Sequence, residues 1–154
     1  MTRVLKIKQE GFQTKRQRQL QKKNPSAFVI GSDQTAEFNN KEVRKPLSIE
    51  KAFIQLNELS GQTINFYSGV CLKNMQKNIS TDAVVKFSVT YKKLSEDQIK
   101  NYLKIEDPTH CVGSIKSEGL GITLLEEIRC NDPTAVIGLP LIELSQMFEK
   151  YGVI

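Results

Sequence analysis

The sequence predicts an α/β domain in which a mixed β-sheet is flanked by helices, and three observations predict it. Residues 83–91, "AVVKFSVTY", place Val85, Phe87, Val89 and Tyr91 on one face, the two-residue period of a half-buried strand. Helix starts are signalled at Ser48, at Ser95 with Gln98, and at Pro140. Strand-like and helix-like segments alternate between these points, and the two central strands are close enough in sequence to pair as a hairpin.

Each element follows from local chemistry. Asn24-Pro25-Ser26 is a turn, and Ala27 to Ile30 is a short buried strand that runs out into the polar Gly31-Ser32-Asp33-Gln34. A small hairpin turns at Asn39-Asn40, because asparagine tolerates positive φ, and Pro46 closes it. Ser48 caps a helix over 49–59 with Ala52, Ile54, Leu56 and Leu59 as its apolar positions; Ser60-Gly61 stops it. Thr63 to Leu72 and Ala83 to Tyr91 are long antiparallel strands joined through the polar 74–78. Ser95 and Gln98 form a capping box for a helix bearing Ile99, Tyr102 and Leu103, ending before Asp107-Pro108. "GSIKSEGLGITLL" reads as a strand, a glycine-punctuated loop and an apolar segment whose type the pattern leaves open. Pro140 suits the first turn of a last helix, with Leu141, Leu144, Met147 and Phe148 inward and Gly152 at its end.

Composition narrows the function classes. At 154 residues the chain has the size of one domain. Its apolar runs fall far short of the ~20 residues of a membrane helix, and no apolar core follows the charged first residues as in a signal peptide. Cys71, Cys111 and Cys130 form neither a CxxC pair nor a Cys/His ligand set, so reduced thiols in the cytoplasm are expected rather than zinc. His110 is the one histidine, which excludes His-based triads and multi-His metal sites. His110 and Cys111 are read as structural.

The net charge of +5 is unevenly spread. Residues 1–23 hold Arg3, Lys6, Lys8, Lys15, Arg16, Arg18, Lys22 and Lys23 against Glu10 alone, an excess of seven that leaves the remainder at −2. Such an arm attracts phosphate backbones through counterion release. Phe12 is its single aromatic, so the stacking platform of a single-strand binder is missing, and a solvated face is preferred to nucleic-acid binding. The organisation is a basic N-terminal segment, 1–23, and a globular domain, 24–154. A homodimer stays open.

Three polar constellations interrupt the apolar pattern. In Gly31-Ser32-Asp33-Gln34 the carboxylate either caps a turn or, at a strand end, holds Mg²⁺ or deprotonates a water. Arg44-Lys45-Pro46 is either a phosphate contact or a solvated pair. In "HCVGSIKSEGLG" the glycines allow close backbone approach, so Lys116 and Glu118 either meet a ligand or are solvent charges on a twisted loop.

"IGSDQ", "RKPLS", "LSGQTINFYSGV", "VKFSVTYKKLSEDQIKNYL", "HCVGSIKSEGLGITL" and "DPTAVIGLPLIEL" together resemble the Maf family of nucleotide pyrophosphatases. They follow the family's order from Pro25 onward, over more than four-fifths of the chain, and imply its ITPase-like α/β fold. Gln34 and the Ser117-Glu118-Gly119 run resemble the subgroup acting on 7-methyl-GTP; the dTTP/UTP subgroup has threonine and glutamine at those two places. The resemblance implies hydrolysis of a nucleoside triphosphate to monophosphate and diphosphate, an acid-anhydride hydrolase using Mg²⁺ or Mn²⁺. Asp33 would be the general base and lie near the metal. Lys45, matching the lysine of the family's GKP stretch, would neutralise phosphate oxygens, with Lys116 assisting. Gln34 and Glu118 would tune base choice: N7-methylated guanine is cationic, so an anionic acceptor for its N1–H and N2 amine gains a charge-assisted bond.

The family opens with a strand and a Ser-x-Ser-Pro-x-Arg loop that contacts the triphosphate, and nothing like it precedes Asn24 here. Arg44 replaces the glycine of GKP, and Arg16 stands where a lysine is expected. The expectation is therefore an N-terminally truncated member whose activity is impaired, since phosphoryl-type transfers depend on positioning and charge stabilisation. Alternatively, Arg3, Lys6 and Arg16 take over the phosphate contacts. An inactive nucleotide-binding remnant and, behind it, a polyanion binder acting through the basic segment complete the readings.

Overall fold

The computed structural model describes residues 19–20 and 22–154. Among them the elements run β1 (Val29–Phe38), β2 (Lys41–Val43), α1 (Ile49–Leu59), β3 (Thr63–Asn74), β4 (Ile79–Tyr91), α2 (Glu96–Ile105), β5 (Leu125–Arg129) and α3 (Leu141–Lys150). Short 3-10 turns lie at Val112–Ser114, Leu120–Leu124 and Pro133–Ala135. The strands form one five-stranded sheet in the order β2-β1-β3-β4-β5.

The expected sheet with flanking helices is present, and where mixed pairing was expected the pairs run antiparallel. Tight turns force this for β1/β2 and β3/β4, because parallel strands need long crossovers. β1 and β2 turn through Asn39 and Asn40, at φ 49° and 61°, with Ala36 opposite Val43 and Phe38 opposite Lys41. β3 and β4 turn through residues 75–78, and Thr63 Oγ1 lies 2.9 Å from Thr90 Oγ1 at the far end. Between β1 and β3 the partners rise in one strand and fall in the other. Asn74 Nδ2 donates to the Ser26 carbonyl at 2.8 Å, and the Ser32 hydroxyl to the Gly69 carbonyl at 3.0 Å. β5 pairs antiparallel with β4 from Ser88–Arg129 to Tyr91–Leu125, with a register slip at Thr90/Tyr91.

The chain divides into two compact units. The first comprises the described residues up to Gln34, Tyr67–Lys86 and Asn131–Ile154. Its core sets Val70 and Leu72 of β3 against Leu144 and Met147 of α3, with Phe28 edge-on to Phe148 at a centroid distance of 6.4 Å. Burying each such side chain contributes about 1.5–3 kcal/mol.

The second unit is Thr35–Phe66 with Phe87–Cys130. α1 presents Ala52, Leu56 and Leu59 to it and α2 presents Ile99 and Tyr102, all buried, while Phe66 and Phe87 stack at 5.0 Å. Ser48 caps α1 by accepting from the Lys51 amide at 3.2 Å, and Ser95 with Gln98 closes the expected capping box on α2. Val85, Phe87, Val89 and Tyr91 are all buried, as their alternation requires.

Three local expectations are corrected, and one segment left open is resolved. The strand placed at Ala27 to Ile30 runs from Val29 to Phe38, so Gly31-Ser32-Asp33-Gln34 lies within it rather than past its end. Strand pairing satisfies backbone groups whatever the side chains are, and polar residues do not stop it. The strand expected at Gly113 is a 3-10 turn, because Gly113 and Ser114 both take positive φ, 74° and 56°. The apolar segment left open becomes a 3-10 turn and then β5. Leu141, expected inward, is 47% exposed: it sits in the first turn of α3, and its amide is held by Thr134 Oγ1 at 2.7 Å.

Candidate functional site

In the first unit, Asp33 and Gln34 are neighbours in β1, both half-buried. The Ser32 hydroxyl stands between the carbonyls of Gly69 and Gly138. Gln34 Nε2 donates to Ser68 Oγ at 2.9 Å and to the Ala135 carbonyl at 3.0 Å, with the Val136 carbonyl at 3.3 Å. Carbonyls only accept, so the end of the amide facing them is its nitrogen. Ser68, wholly buried, donates its own hydroxyl hydrogen bond to the Ala135 carbonyl at 2.7 Å. Ser32 and Gln34 thus reach the same 135–138 segment from one face of β1. Side chains alternate along a strand, so Asp33 projects from the other face. The two adjacent residues expected to meet one nucleotide diverge. Gln34's nitrogen is already committed to the protein.

The 133–140 segment is itself fixed by Asp132, 3% exposed. Its Oδ1 accepts from the Thr134 amide at 3.1 Å and the Thr134 hydroxyl at 2.5 Å; its Oδ2 accepts from the Ile142 amide at 2.9 Å. Burial pushes this carboxyl up, but the bonds from Thr134, Ile142 and Glu143 outweigh it and hold it below the usual carboxylate range.

In the second unit, Lys45 is exposed between β2 and α1, next to buried Pro46. Its segment is tied to residues 109–114 at two points. The Leu47 amide donates to the Thr109 carbonyl at 2.9 Å. Gln55 of α1 donates to the Arg44 carbonyl at 3.0 Å and accepts from the Ser114 hydroxyl at 2.6 Å.

Residues 116–121 are wound around one carbonyl. The amides of Gly119 and Gly121 both donate to the Lys116 oxygen, at 3.0 and 3.1 Å. A Cβ on Gly121 would lie 2.6 Å from the Lys116 backbone, so glycine is required there. The Lys116 amide donates to Tyr102 Oη at 3.1 Å; burial pushes that phenol up to about 12, so it stays protonated. Glu118 is exposed at the tip, and the Ser117 hydroxyl reaches its Oε2 at 3.4 Å.

The charges of this unit converge on Cys111. Burial raises its thiol pKa most; Glu118 adds to the rise, Lys116 and Lys45 oppose it, and Asp107 adds again. Lys45, Lys116 and Glu118 belong to the second unit, and Asp33 and Gln34 to the first. His110 is exposed. Arg3, Lys6, Lys8, Lys15, Arg16 and Arg18 lie outside the described residues.

Sequence reasoning missed Ser68, Asp132, Gln55 and Glu106. Asp132-Pro133-Thr134 carried a local signal, an acid two residues before a threonine at a turn. The others carried none. Among the described residues no three His, Cys, Asp or Glu side chains are grouped to hold a metal, and no helix is long and apolar enough to cross a membrane. All three cysteines are described, and none forms a disulfide.

Residues 6–151 match the family model described as Maf-like protein. Over 130 residues, 84% of this chain, it is 45% identical to a protein of Nitrosococcus oceani named 7-methyl-GTP pyrophosphatase, covering 65% of that protein. Proteins of the same name from Colwellia psychrerythraea and Aliivibrio fischeri are 42% and 45% identical over 129 residues, with 64% and 67% of their lengths covered. The chain spans about two-thirds of the length of the curated relatives it matches.

Proposed function

Because the chain belongs to the Maf family, we propose that it is a cytoplasmic nucleoside triphosphate pyrophosphatase acting on 7-methyl-GTP. The relatives' names support the substrate, and one observation in this molecule supports it most: the Lys45 segment is bonded to residues 109–114, which lead directly into the Lys116–Glu118 loop, through Leu47 to Thr109 and through Gln55 to Arg44 and Ser114. Two cations suit a polyphosphate, and one exposed carboxylate suits a cationic base. In this reading Lys45 and Lys116 neutralise phosphate oxygens, and Glu118 accepts from N1–H and the N2 amine of the methylated guanine.

Asp33 takes the proton of the attacking water as its oxygen bonds to phosphorus and the anhydride bridge breaks, giving 7-methyl-GMP and diphosphate. Gln34 sets base choice from the opposite face of β1, by fixing the 135–138 segment. A single half-buried carboxylate fits Mg²⁺ or Mn²⁺ in the usual manner, in which one or two carboxylates share the ion with substrate phosphates. The ion would supply charge neutralisation at the anhydride.

The test is diphosphate release from 7-methyl-GTP with Mg²⁺. The full chain should release it, and Asp33→Asn should be slower by about 10²–10⁴-fold. No release by either protein, with saturable 7-methyl-GTP binding, would mark a nucleotide binder instead.

A further inference from the structure

Glu106 follows the last residue of α2 and its carboxylate enters the 116–121 loop. Three independent features place it there. Its Oε2 accepts from the Leu120 amide at 3.1 Å. Its Oε1 lies 3.9 Å from Lys116 Nζ, with the glutamate side chain only 17% exposed. Gly119 is packed on the carboxylate so closely that a Cβ would stand 2.3 Å from Oε2.

Neither the helix end nor the ion pair selects an acid at this position. The C-terminal end of a helix carries partial negative charge and disfavours a carboxylate, and an ion pair of 3.9 Å to a partly exposed lysine contributes little. What the side chain does is fix the loop that carries Lys116 and Glu118.

We propose that Glu106 is a positioning residue: by holding Leu120 and Gly119 it sets where Lys116 Nζ and the Glu118 carboxylate stand, and so governs recognition of a cationic purine base. This rests on the reading that Lys116 and Glu118 meet the nucleotide. Glu106 itself touches only the loop.

The experiment compares the full chain with Glu106→Ala, Glu106→Gln and Gly119→Ala. It reads hydrogen exchange at the Leu120 amide and the ratio of GTP to 7-methyl-GTP dissociation constants. Glu106→Ala should speed that exchange about tenfold or more, the factor carried by one hydrogen bond to a charged acceptor, and lower the ratio about tenfold. Glu106→Gln keeps an oxygen for the Leu120 amide and should restore both. Gly119→Ala, which displaces the carboxylate without removing its charge, should behave like Glu106→Ala. Fast exchange with an unchanged ratio in Glu106→Ala means the residue is only structural, and unchanged exchange means it does not hold the loop; either overturns the proposal. Equal affinity for both nucleotides in the unaltered chain overturns the substrate reading and this role with it, and that result is distinct from the other two.

Discussion

The 32–34 stretch of β1 and the 116–121 loop both carry residues expected to meet the nucleotide, and they are held by different means. Ser32 and Gln34 are tied down by neutral hydrogen bonds to buried backbone carbonyls and to Ser68, with Asp132 fixing the segment behind them. The loop is held by backbone wrapping around Lys116, by glycines with no room for a side chain, and by Glu106. Neutral buried bonds are insensitive to salt, whereas a partly exposed charge contact is screened. The bonds on Ser32 and Gln34 are thus insensitive to salt, whereas the second region carries a charge arrangement that a ligand can perturb.

The contrast breaks most severely on the first side. Asp132→Ala removes the acceptor of the Ile142 amide and of both Thr134 donors, which should cost about 3 kcal/mol, measured by urea unfolding. The same carboxyl sets a pH dependence. Its folded pKa lies below its unfolded value of about 3.9, so its contribution is complete above that value and is lost as pH falls through the folded pKa. Asp132→Asn should flatten this acid limb. An unchanged slope would show that other carboxylates set it.

Next in size, Gly121→Ala forces a Cβ against the Lys116 backbone and should cost about 2 kcal/mol. A neutral outcome by the same unfolding measurement would mean that the winding about Lys116 yields easily. Ser68→Ala should cost about 1 kcal/mol, because it strands Gln34 Nε2 from one partner while leaving the Ala135 carbonyl to it. Smallest is the salt response. Raising ionic strength from 0.05 to 0.5 M, about a threefold cut in the Debye length, should speed hydrogen exchange at Leu120 modestly and leave exchange in β1 unchanged. Equal responses in both regions would erase the distinction.

Much of this was legible beforehand, because the signals are local. The Asn39-Asn40 turn, the caps at Ser48 and Ser95 and the alternation through Tyr91 each depend on residues a few positions apart, and each stands where expected. The 113–125 run was misread because glycine marks both strand irregularities and 3-10 turns, and only the φ of Gly113 and Ser114 separates them. The reach of β1 through a polar stretch was missed because its pairing partners lie in β2 and β3.

By itself, then, the sequence determined the elements whose stability is local and the residues whose chemistry suits phosphate, a cation and a methylated base. The tertiary structure alone decided which groups those residues meet. It turned Asp33 and Gln34 to opposite faces, gave Gln34's amide to Ser68 and the Ala135 carbonyl, and set Glu106 under the loop of Lys116 and Glu118. Those partners lie 14 to more than 100 positions away along the chain. No short-range pattern encodes a pairing whose two halves meet only when the backbone folds.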